Sequence, residues 1–444
     1  MLKRVITLDT FDLNYLYDEH LALLSLSPDV LPRAGILIRI FVFFLHLFDG
    51  LLHPSTPFFI SHIPKGSILF FVYSTNQRDA LLPVAKITPN SRMVGHHRVS
   101  VDARFPLFWA HLVAIPFFPL VLLKFLKAHG YRKSTFRYAF DEYWLSYGYY
   151  IVGLMWLKWL APSALVVSND HIMPCRVIVK VAKELNIPTV YIQHASVNLA
   201  HPSLCFDYAL LDGKDALQKY SQIGQSQTIV FLVGIAKLDA HLKDTNDSLG
   251  VQTIGICTNH FDPMQRVEIL CEHICNSFPD LSLHIRPHPG DKRFLAWQAL
   301  ANRYQVGFSD SRVQLSFDFL RNIDAVIVGE SNILLEAVLM NVFPLYYDFG
   351  QQARDDYDFV QNGLTQYALQ PEQIIGQLRA LLQSRPKVQI RAQNYCATIG
   401  TKYYGRSSEL AADLIRCIAS REQIDLDIWS RLLSSNLEAY ELSD

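Results

Sequence analysis

"ALVVSNDHIMPCRVIVKVAKELNIPTVYIQHAS", residues 164–196, is the stretch that decides the fold. It opens on a short apolar run, 164–168, which reads as a buried strand. The polar "NDH" turn follows, and Pro174 suits the first turn of a helix. Ile178, Val181, Ala182 and Leu185 then recur at i, i+3, i+4 and i+7, one face of an α-helix. "NIP" (186–188) ends that helix, and "TVYIQ" (189–193) reads as a second strand. Strand, helix and strand make a βαβ unit, so the two strands are expected parallel and joined by a right-handed crossover. That crossover brings the turns after both strands, "SNDH" (168–171) and "QHAS" (193–196), to one edge of the sheet. Asp170, His171 and His194 are therefore expected to converge.

The same alternation continues outward. "FDYALLDG" (206–213) and "TIVFLVG" (228–234) read as further strands, and "LDAHLKDTNDSLG" (238–250) as a polar, turn-rich linker. A second series starts with strand "VQTIGICT" (251–258) and a helix from Met264 to Phe278. It goes on through strand "LSLHIRPHPGD" (281–291), strand "AVIVG" (325–329), helix "SNILLEAVLM" (331–340) and strand "FPLYY" (343–347). Alternation in both halves predicts an α/β protein of two doubly wound, Rossmann-like domains facing across a cleft. The boundaries read as 1–245 for the first domain and 246–371 for the second. Helices over 372–444 are expected to cross back to the first. Upstream, "GSILFFVYSTNQRDALLPVAKI" (66–87) reads as strand, polar loop and helix.

Composition narrows the class. The 444 residues are 50% hydrophobic and 18% charged, against about 25% charged in ordinary soluble domains. A net charge of −1 argues against broad nucleic-acid binding. Seven cysteines form no C-x-x-C pair and read as reduced core thiols, with no disulfide framework. The first thirty residues show no secretory leader. Two apolar stretches invite a bilayer. "GILIRIFVFFLHLF" (35–48) is too short to span. "LFWAHLVAIPFFPLVLLKFLKA" (107–128) is long enough but carries His111, Pro116 and Pro119. "YWLSYGYYIVGLMWLKWL" (143–160) has the aromatic bias of an interface. These segments are either buried helices or a peripheral contact with the inner leaflet.

Three sets of residues sit where α/β enzymes place chemistry. "RPHPGD" (286–291) presents Arg286 and His288 on a loop stiffened by two prolines, a cationic pair suited to phosphate. In "VGESNILLEA" (329–337), Ser331 reads as the N-cap of a helix whose first N–H groups suit an anion. Glu336 lies inside that helix, where a carboxylate can hold ribose hydroxyls. Asp170, His171 and His194 offer a general base for a hydroxyl acceptor. The structural alternatives are a rigid surface turn, a simple helix cap and a buried core histidine.

The order of these segments, from the His194 loop through "GIAKLD" (234–239), "IGICT" (254–258), "RPHP" and "SFDFLRNIDAVIVGESNILLEAVLMNVFPLYYDF", resembles the GT-B transferases that build bacterial surface polymers. That superfamily includes teichoic-acid glycerophosphotransferases, capsule-polymer transferases and the HP-motif sialyl- and Kdo-transferases. The resemblance covers roughly residues 164–362, and its best-matched pieces are His288-Pro289 and the helix start from Ser331 to Glu336-Ala337. Ala195 stands where many relatives have Gly. The resemblance implies that Arg286, His288, Glu330, Ser331, Asn332 and Glu336 bind the nucleotide donor, and that His194 is the catalytic-loop histidine, with Asp170 and His171 beside it. It implies a glycosyltransferase moving a sugar from CMP-Kdo, CMP-sialic acid or a UDP-sugar to a growing lipid-linked polysaccharide of capsule or lipopolysaccharide. The site would be the cytoplasmic face of the inner membrane. No Asp-x-Asp ends a strand, so no metal and no further cofactor is expected. The alternatives are a CDP-alditol phosphotransferase, a nucleotide-sugar 2-epimerase and an inactive membrane-peripheral scaffold.

Overall fold

The computed structural model describes residues 2–16, 35–53, 63–243, 245–432 and 436–443. The leader reading of the first thirty residues falls partly outside them. The chain divides into two compact units: Met1–Asp212, Ala216–Lys237 and Arg406–Asp444 form the first, and Gly213–Asp215 with Leu238–Gly405 the second. These limits differ from those drawn on the sequence. The second unit begins inside the polar 238–250 segment and runs on past 371, and only residues from Arg406 onward belong to the first unit.

In unit 1 the chain forms β1 (Ile68–Val72), β2 (Ser91–Gly95), β3 (Ala103–Arg104), β4 (Ala164–Val167), β5 (Thr189–Ile192), β6 (Tyr208–Leu211) and β7 (Ile229–Leu232). Unit 2 contributes β8 (Thr253–Thr258), β9 (Ser282–Pro287), β10 (Gly307–Phe308), β11 (Ala325–Val328), β12 (Phe343–Tyr347) and β13 (Tyr367–Ala368). The returning segment adds β14 (Trp429–Leu432) and β15 (Glu438–Leu442) to the first sheet, whose order is β14-β15-β7-β6-β5-β4-β1-β2-β3. The second sheet runs β10-β9-β8-β11-β12-β13. Every pairing is parallel except β14 with β15.

Both sheets are wound the same way. The chain starts on an inner strand, steps outward twice, then returns to the other side of its starting strand. That is the Rossmann order 3-2-1-4-5-6. It places one topological switch point between β1 and β4 and another between β8 and β11, with a crevice at the carboxyl ends of each pair.

The βαβ unit at 164–196 forms as its pattern predicts. The crossover helix is Met173–Glu184, with Pro174 in its first turn. Val177, Ile178, Val181 and Ala182 are fully buried, each of the larger ones contributing about 1.5–3 kcal/mol by leaving water. After Leu185 the chain turns through Asn186 at φ 56°, a left-handed conformation that Asn tolerates. Asn341 at φ 58° does the same before β12.

The helix Phe140–Leu160 covers this crossover from outside, which is why so much of it is buried. A Cβ on its Gly153 would meet Ile178 Cδ1 at 3.0 Å, and one on Gly148 would sit 1.8 Å from the Ala110 carbonyl oxygen. Glycine is required there because a neighbouring helix backbone lies against it. In unit 2, Ile254, Ile256, Ile285 and Ile327 from the strands meet Leu270, Ile274, Trp297 and Leu378 from the helices in one core. The seven cysteines are all free thiols; Cys175, Cys257, Cys271 and Cys396 are buried.

Candidate functional site

At the unit 1 switch point, β4 runs into Ser168, Asn169 and Asp170, all buried. The Asn169 side-chain oxygen accepts hydrogen bonds from the backbone N–H groups of His171 (3.1 Å) and Ile172 (2.8 Å). This Asx turn sends the chain into the crossover helix. The Asp170 carboxylate is only 1% exposed. One oxygen lies 2.9 Å from His171 Nδ1, and the other accepts from the Tyr220 hydroxyl at 2.6 Å. The Asp170 carbonyl accepts from Arg176 at 2.7 Å. Burial by itself would raise the Asp170 pKa. The hydrogen bond from His171, the nearby His201 and the Tyr220 hydroxyl outweigh it and hold the carboxyl well below its usual range.

An ionised Asp170 can only accept, so the neutral His171 ring carries its proton on Nδ1. Its Nε2 lone pair is then the basic atom, with the Asn169 side-chain nitrogen 3.3 Å away. The His171 side chain is 17% exposed and Asp170 lies behind it. This is a base held by a carboxylate, the arrangement that activates hydroxyl groups. Of the residues expected to act as base, Asp170 is thus buried and paired, and His171 is the more exposed of the two.

β5 delivers His194 to the same place. The Gln193 side chain ties the strand end down, accepting from the Asp212 backbone N–H (2.9 Å) and donating to the Ala195 carbonyl (2.9 Å). Burial, then the neighbouring His171 ring, pushes the His194 pKa down to about 4. The ring is therefore neutral at pH 7, and its buried Nδ1 has no hydrogen-bond partner. Sequence reasoning missed three members of this cluster. His201 stands edge-on to His171 with ring centroids 5.6 Å apart. Tyr220 is 50 residues from Asp170 in the chain. Asp212 follows β6, where burial drives its carboxyl well above the usual range against the pull of Lys237. An open hollow of about 770 Å³ adjoins His201 and is lined also by Asp9, Asp12, Arg132 and Arg176.

Asp170, His171 and His201 could supply ligand atoms to one metal ion, as could Asp49, His53 and His97 elsewhere in the unit. In the first set the His171 Nδ1 points at Asp170 itself, so the geometry is that of a hydrogen-bonded relay.

At the unit 2 switch point, three loops follow three adjacent strands. β8 leads to Asn259 and His260, β9 to His288, and β11 to Gly329, Glu330 and Ser331. His288 is exposed, and its Nδ1 accepts the Gly290 backbone N–H at 3.0 Å. The neutral ring therefore carries its proton on Nε2, a donor suited to a phosphate oxygen. Partial desolvation by the surrounding loops, then the neighbouring His260, lowers the His288 pKa although much of the ring stays open to solvent. The two rings are 5.4 Å apart; His260 was not singled out in the sequence. Arg293 braces the pair. It donates to the buried Asp291 carboxylate and to the carbonyls of Asp262 (2.8 Å) and Asn259 (3.3 Å), joining the β8 and β9 loops.

The other expected donor-binding residues are used differently. Arg286 is 6% exposed; it donates to Ser309 Oγ and the Gln314 carbonyl, both at 2.7 Å, and lies over the Phe319 ring. It holds the β9 edge together. Glu330 accepts from the Tyr346 hydroxyl and the Tyr357 backbone N–H, both at 3.0 Å, and burial pushes its pKa up to about 7. Ser331 is not the N-cap. The helix is Ile333–Leu339, and Asn332 caps it in an αR conformation without a side-chain cap bond. Ser331 and Asn332 are half-buried at the carboxyl end of β11, and Glu336 is close enough to Arg286 for their charges to interact.

No protein-family model matches the chain, and no curated protein matches it. Solved structures do. A UDP-N-acetylglucosamine 2-epimerase is 12% identical over 82% of this chain and 99% of its own, with a TM-score of 0.54. The UDP-GlcNAc 2-epimerase from Neisseria meningitidis, bound to UDP-GlcNAc, is 11% identical over 78% and 98%, with a TM-score of 0.52. The wall teichoic acid polymerase TagF gives 11% identity over 87% and 96% at a TM-score of 0.48. The likeness to the two epimerases shows the fold alone: the chain has the GT-B architecture of two Rossmann-like units, as its sequence order implied.

Proposed function

We propose that the protein is a glycosyltransferase. It would move a sugar from a nucleotide-activated donor, CMP-Kdo, CMP-sialic acid or a UDP-sugar, to a growing lipid-linked saccharide of capsule or lipopolysaccharide at the cytoplasmic face of the membrane. The observation that carries this reading is the Asp170–His171 pair at the unit 1 switch point. A carboxylate 2.9 Å from Nδ1 leaves Nε2 as a base of fixed tautomer, which is what deprotonating an acceptor hydroxyl needs. His194, its ring neutral at pH 7, would hydrogen-bond the acceptor hydroxyl beside that base. Unit 2 would hold the donor, with His288 Nε2–H on its phosphate, supported by His260 and the loop at Ser331. Hydrogen bonds from these groups would offset the charge that grows on the leaving phosphate. We propose no metal in this scheme, because the base and the phosphate donors come from side chains.

Calorimetric titration of the full chain with CMP, CDP and UDP tests the reading. One nucleotide is expected to bind, and His288→Ala to weaken it about 10–100-fold, the range for a hydrogen bond to a charged group. CMP would indicate a Kdo or sialic acid donor, UDP a hexose and CDP a phospho-alditol. Interconversion of free UDP-sugars without any acceptor would establish an epimerase instead. Folded protein that binds none of the three would sink the transferase reading.

A further inference from the structure

The N-terminal third of unit 1 carries an apolar surface that neither switch point uses. The helix Ile36–Leu52 buries Phe43 and Gly50 on one side, with Phe43 stacked 3.7 Å from Trp144. On its other side Leu37 (82%), Phe41 (62%), Leu45 (48%), Phe48 (60%) and Leu52 (77%) are exposed. They recur every three or four residues, so an entire helical face is apolar and bare. An ordinary surface helix turns polar residues outward there. The neighbouring helix Phe118–Lys127 adds Leu123 and Leu126, both more than half exposed.

The stretch 107–127 is long and apolar enough to cross a membrane by length and composition. It is instead tied to the domain beneath it. Trp144 Nε1 donates to the Ala114 carbonyl at 2.7 Å, and Gly148 leaves no room between Ala110 and the Phe140–Leu160 helix. Held this way, the stretch would lie along an interface and not cross it.

Charge selects the kind of interface. From Arg104 to Phe140 the sequence has no Asp or Glu, yet carries Arg104, Lys124, Lys127, Arg132, Lys133 and Arg137. Where the two apolar helices approach the helix Gly130–Tyr138 there is a cleft of about 670 Å³. Ile36, Leu37, Ile38 and Phe125 line its apolar side, and Lys133, Ser134 and Arg137 its polar side. Two cations and a hydroxyl beside an apolar wall match one chemistry, a phosphate joined to acyl chains.

We propose that this cleft binds the headgroup phosphate of an anionic phospholipid, seating the Ile36–Leu52 face in the acyl boundary of the leaflet. The assignment rests on the membrane contact proposed above and not on the transferase chemistry. Co-sedimentation of the full chain with phosphatidylcholine vesicles, and with vesicles that also contain phosphatidylglycerol, tests both parts. Tighter binding to the anionic vesicles, weakening with salt, is the expected result. Lys133→Gln with Arg137→Gln should reduce it about 30-fold, since each cation near an anionic surface contributes about 1 kcal/mol. Phe41→Ser is expected to weaken binding to both vesicle types. Circular dichroism and nucleotide titration would show that the variants fold. Equal binding to both vesicles, unchanged in the double variant, would overturn the phosphate site. Binding to neither, with a dimer by light scattering that Phe41→Ser dissociates, would assign the face to a second copy of the chain instead.

Discussion

At the switch point of unit 1 the carboxylate is buried and hydrogen-bonded on both oxygens, with the imidazoles packed around it. Asp170 is held between His171 and Tyr220, and His194 is kept neutral by burial. At the switch point of unit 2, wound in the same strand order, His288 is exposed and its partners are a backbone N–H and a second imidazole. The buried carboxylates there, Asp291 and Glu330, brace loops. The difference teaches what each arrangement can do. A buried, paired set fixes protonation states and tautomers, which suits proton transfer. An open pair of imidazoles on two neighbouring loops can meet a large charged ligand and release it.

The strongest way to break this comparison is to remove the base. His171→Ala is expected to lower kcat about 10²–10⁴-fold while leaving nucleotide affinity unchanged, read by transfer kinetics beside calorimetry. A loss of nucleotide affinity instead would mean that unit 1 binds the donor and that the roles are misassigned.

The next test uses pH, because the two units should respond with opposite sign. His194 has its pKa lowered from 6.5 to about 4. As pH falls below about 6.5 the unfolded chain takes up a proton that the folded chain refuses, so stability is lost toward pH 4, by at most about 3 kcal/mol. Chemical denaturation of wild type and His194→Asn across that range should show the slope and then its loss. Glu330 has its pKa raised from 4.5 to about 7. The folded chain keeps a proton that the unfolded chain releases, so this contribution is complete below about pH 4.5 and lost as pH rises through 7. Glu330→Gln should flatten the decline between pH 5 and 8. Identical slopes in wild type and variant would show that Glu330 is ionised throughout.

The smallest expected effect sharpens the role of Asp170. Tyr220→Phe removes one of its two side-chain donors and should cost about 1 kcal/mol of stability. If Asp170 orients His171, the variant should also shift the pH–rate profile; a purely structural Tyr220 would leave that profile unmoved.

The fold was legible because its signals are local. Apolar runs at 164–168 and 189–193, separated by a 3.6-period helix, have few foldings other than a parallel βαβ unit, and the second series at 251–347 repeats the pattern. Asp170, His171, His194 and His288 were legible for the same reason, since each follows directly on a strand. Arg286, near the end of β9, and Glu330, just after β11, were read the same way, yet they turn inward to Ser309 and Tyr346. Which way a side chain leaves a strand end depends on neighbours more than a dozen residues away. The helix start at 331 was misplaced because Ser and Asn are both good caps, and the turn geometry chose Asn332. His201, Tyr220 and His260 carry no motif of their own.

By itself, then, the sequence determined two doubly wound sheets and the identity of the loops at their carboxyl edges, because hydrophobic period and crossover handedness act along the chain. Tertiary structure alone decided which of those loop residues are paired and buried and which are presented. It buried Asp170 between His171 and Tyr220, made Arg286 a brace and left the Ile36–Leu52 helix with a bare apolar face, since burial and hydrogen bonding depend on segments that meet only after the chain has folded.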